Sequence, residues 1–133
     1  MQSKKLSKDS SRYDYLTDLP SMTYFFELAE SEKENILING GEPMLLYFDF
    51  RGMKFFNMRY GFAEGDKMLQ QFADILKQTF STENCCRIGA DHFSVITEED
   101  GLEEKLNNIF DEWHEFCDGV TLPVHVGIYR SRG

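Results

Sequence analysis

The sequence predicts an α+β domain, a mostly antiparallel sheet with helices on one or both faces. Three observations carry this. An apolar run from Met44 to Phe50 is interrupted only by Asp49 and has the length of a central strand buried on both faces. Two runs at 85–88 and 93–97 are joined by the turn Gly89-Ala90-Asp91-His92 and read as a hairpin. Between and after them lie stretches whose apolar residues recur at helical spacing.

Taken in order, residues 1–13 are rich in Ser and Lys and poor in apolar side chains. They are expected to be a disordered lead-in, or the end of a helix arriving from an upstream domain. The domain proper then covers 14–133. Asp14-Tyr-Leu-Thr-Asp-Leu-Pro20 makes a turn, and Ser21 can cap a helix from Met22 to about Asn35. Tyr24, Phe25, Leu28 and Ala29 share one face of that helix. Asn39-Gly40-Gly41-Glu42-Pro43 breaks it before the Met44 strand. Arg51-Gly52 begins a turn, and Met53 to Tyr60 suits two helical turns. Asp66 is expected to open the next helix, with Leu69, Phe72, Leu76 and Phe80 inward. A further helix from Gly101 to Phe116 should bury Leu102, Leu106, Ile109, Phe110, Trp113 and Phe116 behind an acidic outer face. Leu122 to Tyr129 alternates as a last strand. No internal repeat is present.

At 133 residues the chain is long enough for one hydrophobic core, and its twelve Phe and one Trp supply ample material for it. A net charge of −9 repels phosphodiester backbones, so nucleic acid is not an expected partner. No apolar run approaches the roughly 20 residues of a membrane span, and the N-terminus has no leader-like apolar segment. A soluble, cytoplasmic protein is expected. The three cysteines form no C-x-x-C pair, and adjacent Cys85 and Cys86 should point to opposite faces of a strand. Buried reduced thiols are the expected reading, ahead of a zinc site built from Cys86, His92 and Cys117.

The chemistry concentrates in Asp49 to Asp66 and in the hairpin turn. A carboxylate inside an apolar strand is costly without a partner, which singles out Asp49. The hairpin brings a second acid, Asp91, to a neighbouring strand edge. With a lysine and turn amides nearby, that layout suits a metal-bound nucleotide.

These pieces resemble a GGDEF domain, the diguanylate cyclase fold related to the palm of adenylyl cyclases and polymerases. Residues 14–20 resemble its D-x-L-T-G-L-P opening, and Asp49 to Asp66 its D-x-D-x-F-K-x-x-N-D-x-x-G-H-x-x-G-D stretch. Gly89-Ala90-Asp91-His92-Phe93 stands where G-G-D-E-F would be, and Val126-Gly127-Ile128 resembles the S-x-G-[IV] strand. The resemblance spans about residues 14–130 and implies a ferredoxin-like, palm-type sheet. It implies Mg²⁺ held by Asp49, the Phe50 carbonyl and Asp91. It also implies Lys54 on the terminal phosphates, and Asn57 and Asp66 on guanine. Asp66 serves equally well as a helix N-cap. Phe55, Phe56 and Tyr60 read as packing groups.

Several positions depart from the pattern. Ala90 replaces the second signature glycine and His92 the signature glutamate. Arg51 stands in place of the second Asp, Gly52 and Met53 replace the usual aromatic pair, Met58 replaces the Asp after Asn57, and Phe62 replaces the family histidine. His92 could ligate a transition metal or act as a base, but a degenerate signature is the expected reading. Phe80 and Glu83 occupy the R-x-x-D product-site positions, so product feedback there is not expected. The family continues past Gly133 with a helix carrying a lysine and an arginine, so the domain is expected to extend beyond this chain. The M-K-F-F-N and D-H-F variants are similar to GGDEF domains that precede an EAL domain. The implied role is a GTP- and Mg²⁺-binding regulatory module without cyclase activity, attached to an EAL or sensor domain. Two alternatives remain: a weak cyclase working as a homodimer when complete, and a ligand-free dimerisation module.

Overall fold

The strand β1 (Pro43–Phe50) runs between two antiparallel neighbours in a four-stranded sheet whose order is β2 (Cys85–Ile88), β3 (His92–Glu98), β1, β4 (Val124–Arg130). A computed structural model of the chain describes residues 11–119 and 122–131. The helices are α1 (Met22–Ile38), α2 (Met53–Tyr60), α3 (Phe62–Phe80) and α4 (Leu102–Cys117). A single 3-10 turn, Thr82–Asn84, joins α3 to β2. This is the α+β class expected, with helices on both faces. The expectation for residues 1–10 lies outside the described residues.

The sheet separates two clusters because successive side chains of a strand point to opposite faces. Leu46, Phe48 and Phe50 of β1 join Phe93, Val95 and Cys85 in a large core closed by α3 and α4. Cys86 and Ile96 point the other way, against Phe25 and Ala29 of α1. The adjacent thiols therefore do lie on opposite faces. The second face of β1 is only partly covered, contrary to the expectation of a strand buried on both sides: Leu45, Tyr47 and Asp49 are half-buried. That open half is where the site forms.

The helices follow from their spacing and their ends. In α1 the Ser21 hydroxyl accepts from the Tyr24 N–H at 3.3 Å, which satisfies one of the amides orphaned at a helix start. In α3 the buried set Met68, Leu69, Phe72, Ala73, Ile75, Leu76 and Phe80 recurs at three- and four-residue steps. This helix begins at Phe62, not at Asp66. Gly61 alone separates it from α2, and no side chain caps it. In α4, Leu102, Leu106, Ile109 and Trp113 are buried, Phe110 packs at the edge of the core, and Phe116 is 42% exposed. The inward assignment of Phe116 fails because it stacks on the outer side of Trp113, beyond the reach of the sheet. The last strand begins two residues later than expected, after Leu122 has entered the core.

Residues 11–13 are part of the fold. Tyr13 bridges Pro20, and the Arg12 guanidinium lies over the Tyr24 ring at 4.5 Å. Asp14 then closes the turn by accepting from the Thr17 N–H and hydroxyl at 3.0 and 2.8 Å.

Burial raises the thiol pKa of Cys85 far above its ordinary value and pushes that of Cys86 up to about 12. Unfolded thiols ionise near 9, so folding holds these two protonated where the open chain would release the proton. Their contribution is complete below pH 9 and is lost as pH rises towards 12, at up to about 1.4 kcal/mol per pH unit for each thiol. Urea melts at pH 8 and pH 10 should show that decline. A thiol reagent at pH 8 should meet Cys117 first, since Cys117 is half-buried and the others are buried. Equal labelling of all three in the native chain would refute it.

Candidate nucleotide site

The site gathers at one end of the sheet. β1 delivers Asp49, the β2–β3 turn delivers Asp91, and β3 begins with His92. Cross-strand register sets Asp49 opposite His92 on one side and His125 on the other. The Phe50 N–H donates to the Asp91 carbonyl at 3.2 Å, tying the two acid-bearing segments together. Behind them Phe50 and Phe93 are buried, with ring centres 5.9 Å apart, so the residues next to Asp49 and His92 are anchored in the core.

His92 is not a bystander. Its Nε2 lies 3.0 Å from Asp49 Oδ1 and its Nδ1 lies 3.1 Å from Asp91 Oδ1. The ring is stacked on Tyr47 at 5.3 Å and 21°. The second oxygen of Asp49 meets Arg51 Nε at 3.1 Å. The carboxylates singled out from the sequence are thus brought together, but with two family-departing side chains already on them.

The residues expected to hold magnesium do not fit it in this arrangement. Mg²⁺ demands a near-octahedral set of oxygens at about 2.0 Å. Here both oxygens of Asp49 and one of Asp91 are engaged. A guanidinium adjoins the position, and among the described residues no three His, Cys, Asp or Glu side chains converge to hold a metal. The zinc set is not assembled either, because Cys86 belongs to the cluster under α1 while Cys117 packs against the opposite core.

The signature turn tolerates its alanine. Gly89 takes the positive φ of 67°, and Ala90 is exposed and outside the left-handed region. The Ala90 carbonyl accepts from Arg87 Nη2 at 2.8 Å and from Nε at 3.3 Å, while Arg87 Nη1 reaches Asp14 Oδ2 at 3.3 Å. One guanidinium therefore joins the turn at 14–19 to the turn at 89–91. Sequence reasoning missed this, although an arginine two residues before a hairpin glycine was a visible signal.

The residues expected to touch nucleotide have a different status. Lys54 and Asp66 are exposed and make no ion pair or hydrogen bond among the described residues. Asn57 Oδ1 is buried and has no hydrogen-bond partner, which costs stability unless something supplies a donor. It lies against Gly65, where a Cβ would come within 1.9 Å of it. Gly65 is thus the cradle that admits Asn57, with Asp66 next in the chain. Asp66 sits in the second turn of α3, so its N-cap reading is overturned. Of the turn amides beside Asp49, that of Arg51 is already engaged: its N–H donates to the Pro123 carbonyl at 2.8 Å. No side chain caps α2 at Gly52. Phe56 is buried, whereas Phe55 is 73% exposed and lies outside the core.

The family model described as "Diguanylate cyclase, GGDEF domain" matches residues 11–128. The chain is 30% identical over 99 residues to the diguanylate cyclase DgcS of Shewanella oneidensis, covering 74% of this chain and 33% of that protein. It therefore spans about a third of the length of that relative. Among solved structures it is similar to a microbial GGDEF domain described in its interaction with cyclic di-GMP. That likeness has a TM-score of 0.72 and 19% identity, over 89% of this chain and 77% of the other. It is also similar to the coiled coil and GGDEF domain of DgcB from Caulobacter crescentus, in complex with c-di-GMP. There the TM-score is 0.71 at 17% identity, over 96% of this chain and 72% of that one. At such identities these two likenesses establish the fold alone.

Proposed function

The chain belongs to the GGDEF, or diguanylate cyclase, domain family, and from that premise we propose that it is a degenerate member. In this reading it is a regulatory module of cyclic-di-GMP signalling that recognises a guanine nucleotide and makes no product. The observation that carries it is the contrast within the site: Asn57, Asp66 and Lys54 have no partners among the described residues, while Asp49 and Asp91 are engaged.

Guanine offers two donors, N1–H and the exocyclic amine, that a carboxylate accepts together, and its O6 accepts from an amide. Asp66 and Asn57 supply that pair once the Asn57 carboxamide turns its orphaned oxygen away from Gly65. Synthesis asks for more. Attack of a ribose 3′-hydroxyl on an α-phosphate develops charge that a metal held by free carboxylates must offset. Magnesium enters only with Arg51 and His92 displaced. The bound nucleotide would then act by favouring one arrangement of this domain against an attached EAL or sensor domain in the cytoplasm.

Titrating GTP calorimetrically into the chain, into Asp66→Ala and into Gly65→Ala tests the reading. Each substitution is expected to weaken binding by about tenfold or more. Gly65→Ala should do so with little change in stability, since the helix gains roughly what the displaced Asn57 loses. Cyclic di-GMP formed from GTP by the chain, and abolished by Asp91→Ala, would overturn the inactive assignment. Phe55, Met58 and Phe62, each more than 70% exposed on α2 and the start of α3, favour a second reading as a docking face for a partner domain or a second copy.

A further inference from the structure

Two substitutions that look unrelated in sequence act on the same carboxylate in space. Arg51 takes one oxygen of Asp49 at 3.1 Å, and His92 takes the other at 3.0 Å while also reaching Asp91 at 3.1 Å. The His92 ring is fixed from a third side by its stack on Tyr47. The guanidinium is permanently charged and matches a carboxylate as a hydrogen-bond donor. A divalent cation approaching this pair must displace the Arg51 guanidinium and the His92 ring, which lies between the two carboxylates, and then sit beside Arg51. Mg²⁺ also sheds its own water reluctantly.

We propose that Arg51 and His92 stand in for the divalent cation at the Asp49–Asp91 pair, so that this chain takes guanine nucleotides through the base, with an affinity indifferent to magnesium and nearly indifferent to the number of phosphates. The ligand in this statement rests on the guanine reading above; the exclusion of the cation does not. Without a bridging metal, added phosphates meet Lys54 on one side and two acids on the other, so attraction and repulsion largely offset. Asn57 and Asp66 are untouched by this exchange and carry the recognition.

Two measurements on the whole chain separate the parts. In the first, Mn²⁺, an EPR-visible substitute for Mg²⁺, is titrated without nucleotide. The unaltered chain should bind none below about 1 mM, and Arg51→Asp/His92→Glu should bind at least about tenfold more tightly. Equal affinity in the two overturns the proposal. If circular dichroism shows the double variant unfolded, Asp49→Asn is the reference instead. Mn²⁺ bound by the unaltered chain and lost in Asp49→Asn then overturns the proposal, and no binding by the unaltered chain supports it. In the second, GTP and GDP are titrated with EDTA and with Mg²⁺. All four affinities should agree within about threefold, and a loss beyond about tenfold in EDTA overturns the proposal. A chain that binds neither nucleotide nor Mn²⁺ strikes out the guanine reading and the recognition through the base, while leaving the cation's exclusion supported.

Discussion

Replacing Phe72 with alanine is expected to cost about 3–5 kcal/mol, a large share of the total stability of a domain this size. Phe72 is fully buried at the centre of α3, and its ring meets four others. Phe48 lies 5.4 Å away, Phe50 5.2 Å, Phe93 5.4 Å and Trp113 5.2 Å, most of them edge-on or tilted. Such contacts add to area burial, and a rigid aromatic cluster cannot close over the cavity left behind. Urea denaturation should show the midpoint fall with an unchanged slope, and Phe72→Leu should recover more than half of the loss. A cost below about 1.5 kcal/mol would mean that the cluster collapses freely, contrary to the packing described. Because Phe50 and Phe93 adjoin Asp49 and His92, the same variant should also loosen the site.

Arg87→Met should cost about 2–3 kcal/mol, the second largest effect. Its side chain is 14% exposed and that of Asp14 is 20% exposed, so water replaces the lost ion pair poorly, although it can reach the exposed Ala90 carbonyl. The substitution removes the charge partner of Asp14, which keeps its two Thr17 donors, and takes both guanidinium donors from the Ala90 carbonyl. Arg87→Lys should recover only part of this, since an ammonium cannot reproduce a fork that spans two turns. The cost should persist in high salt, because a pair this sheltered is weakly screened. Chemical denaturation of both variants at low and high salt measures it. A cost under 1 kcal/mol, or one abolished by salt, would reduce the contact to an ordinary surface pair.

The sheet was legible because apolar runs of strand length leave few alternatives, and the interior of each helix because three- and four-residue spacing is hard to produce otherwise. The helix start at Phe62 was not legible. Gly61 offers no capping side chain, and the first turn, Phe62-Ala63-Glu64, is exposed, so no apolar rhythm announces it. Phe116 misled for the opposite reason: it fits the apolar pattern of its helix, yet it stacks on the outer side of Trp113 and stays 42% exposed. At the site, Asp49 stood out because its strand is otherwise apolar, and Asp91 because of its turn. What neutralises them was hidden. His92 meets Asp49 only through the β1–β3 register, and Arg51 folds back across a turn. The first depends on a pairing between segments and the second on a local turn geometry, and composition and spacing rank neither.

Gly61 adopts φ 95° and ψ 156°, a backbone state open essentially to glycine alone. It is also the one residue between the helix bearing Lys54 and Asn57 and the helix bearing Gly65 and Asp66. The two helices therefore meet like the blades of a pair of tweezers, with a single swivel setting the gap between the tips. A side chain at that swivel would spread the tips without touching them. The recognition proposed above would then be lost while every residue that would face a ligand stays the same.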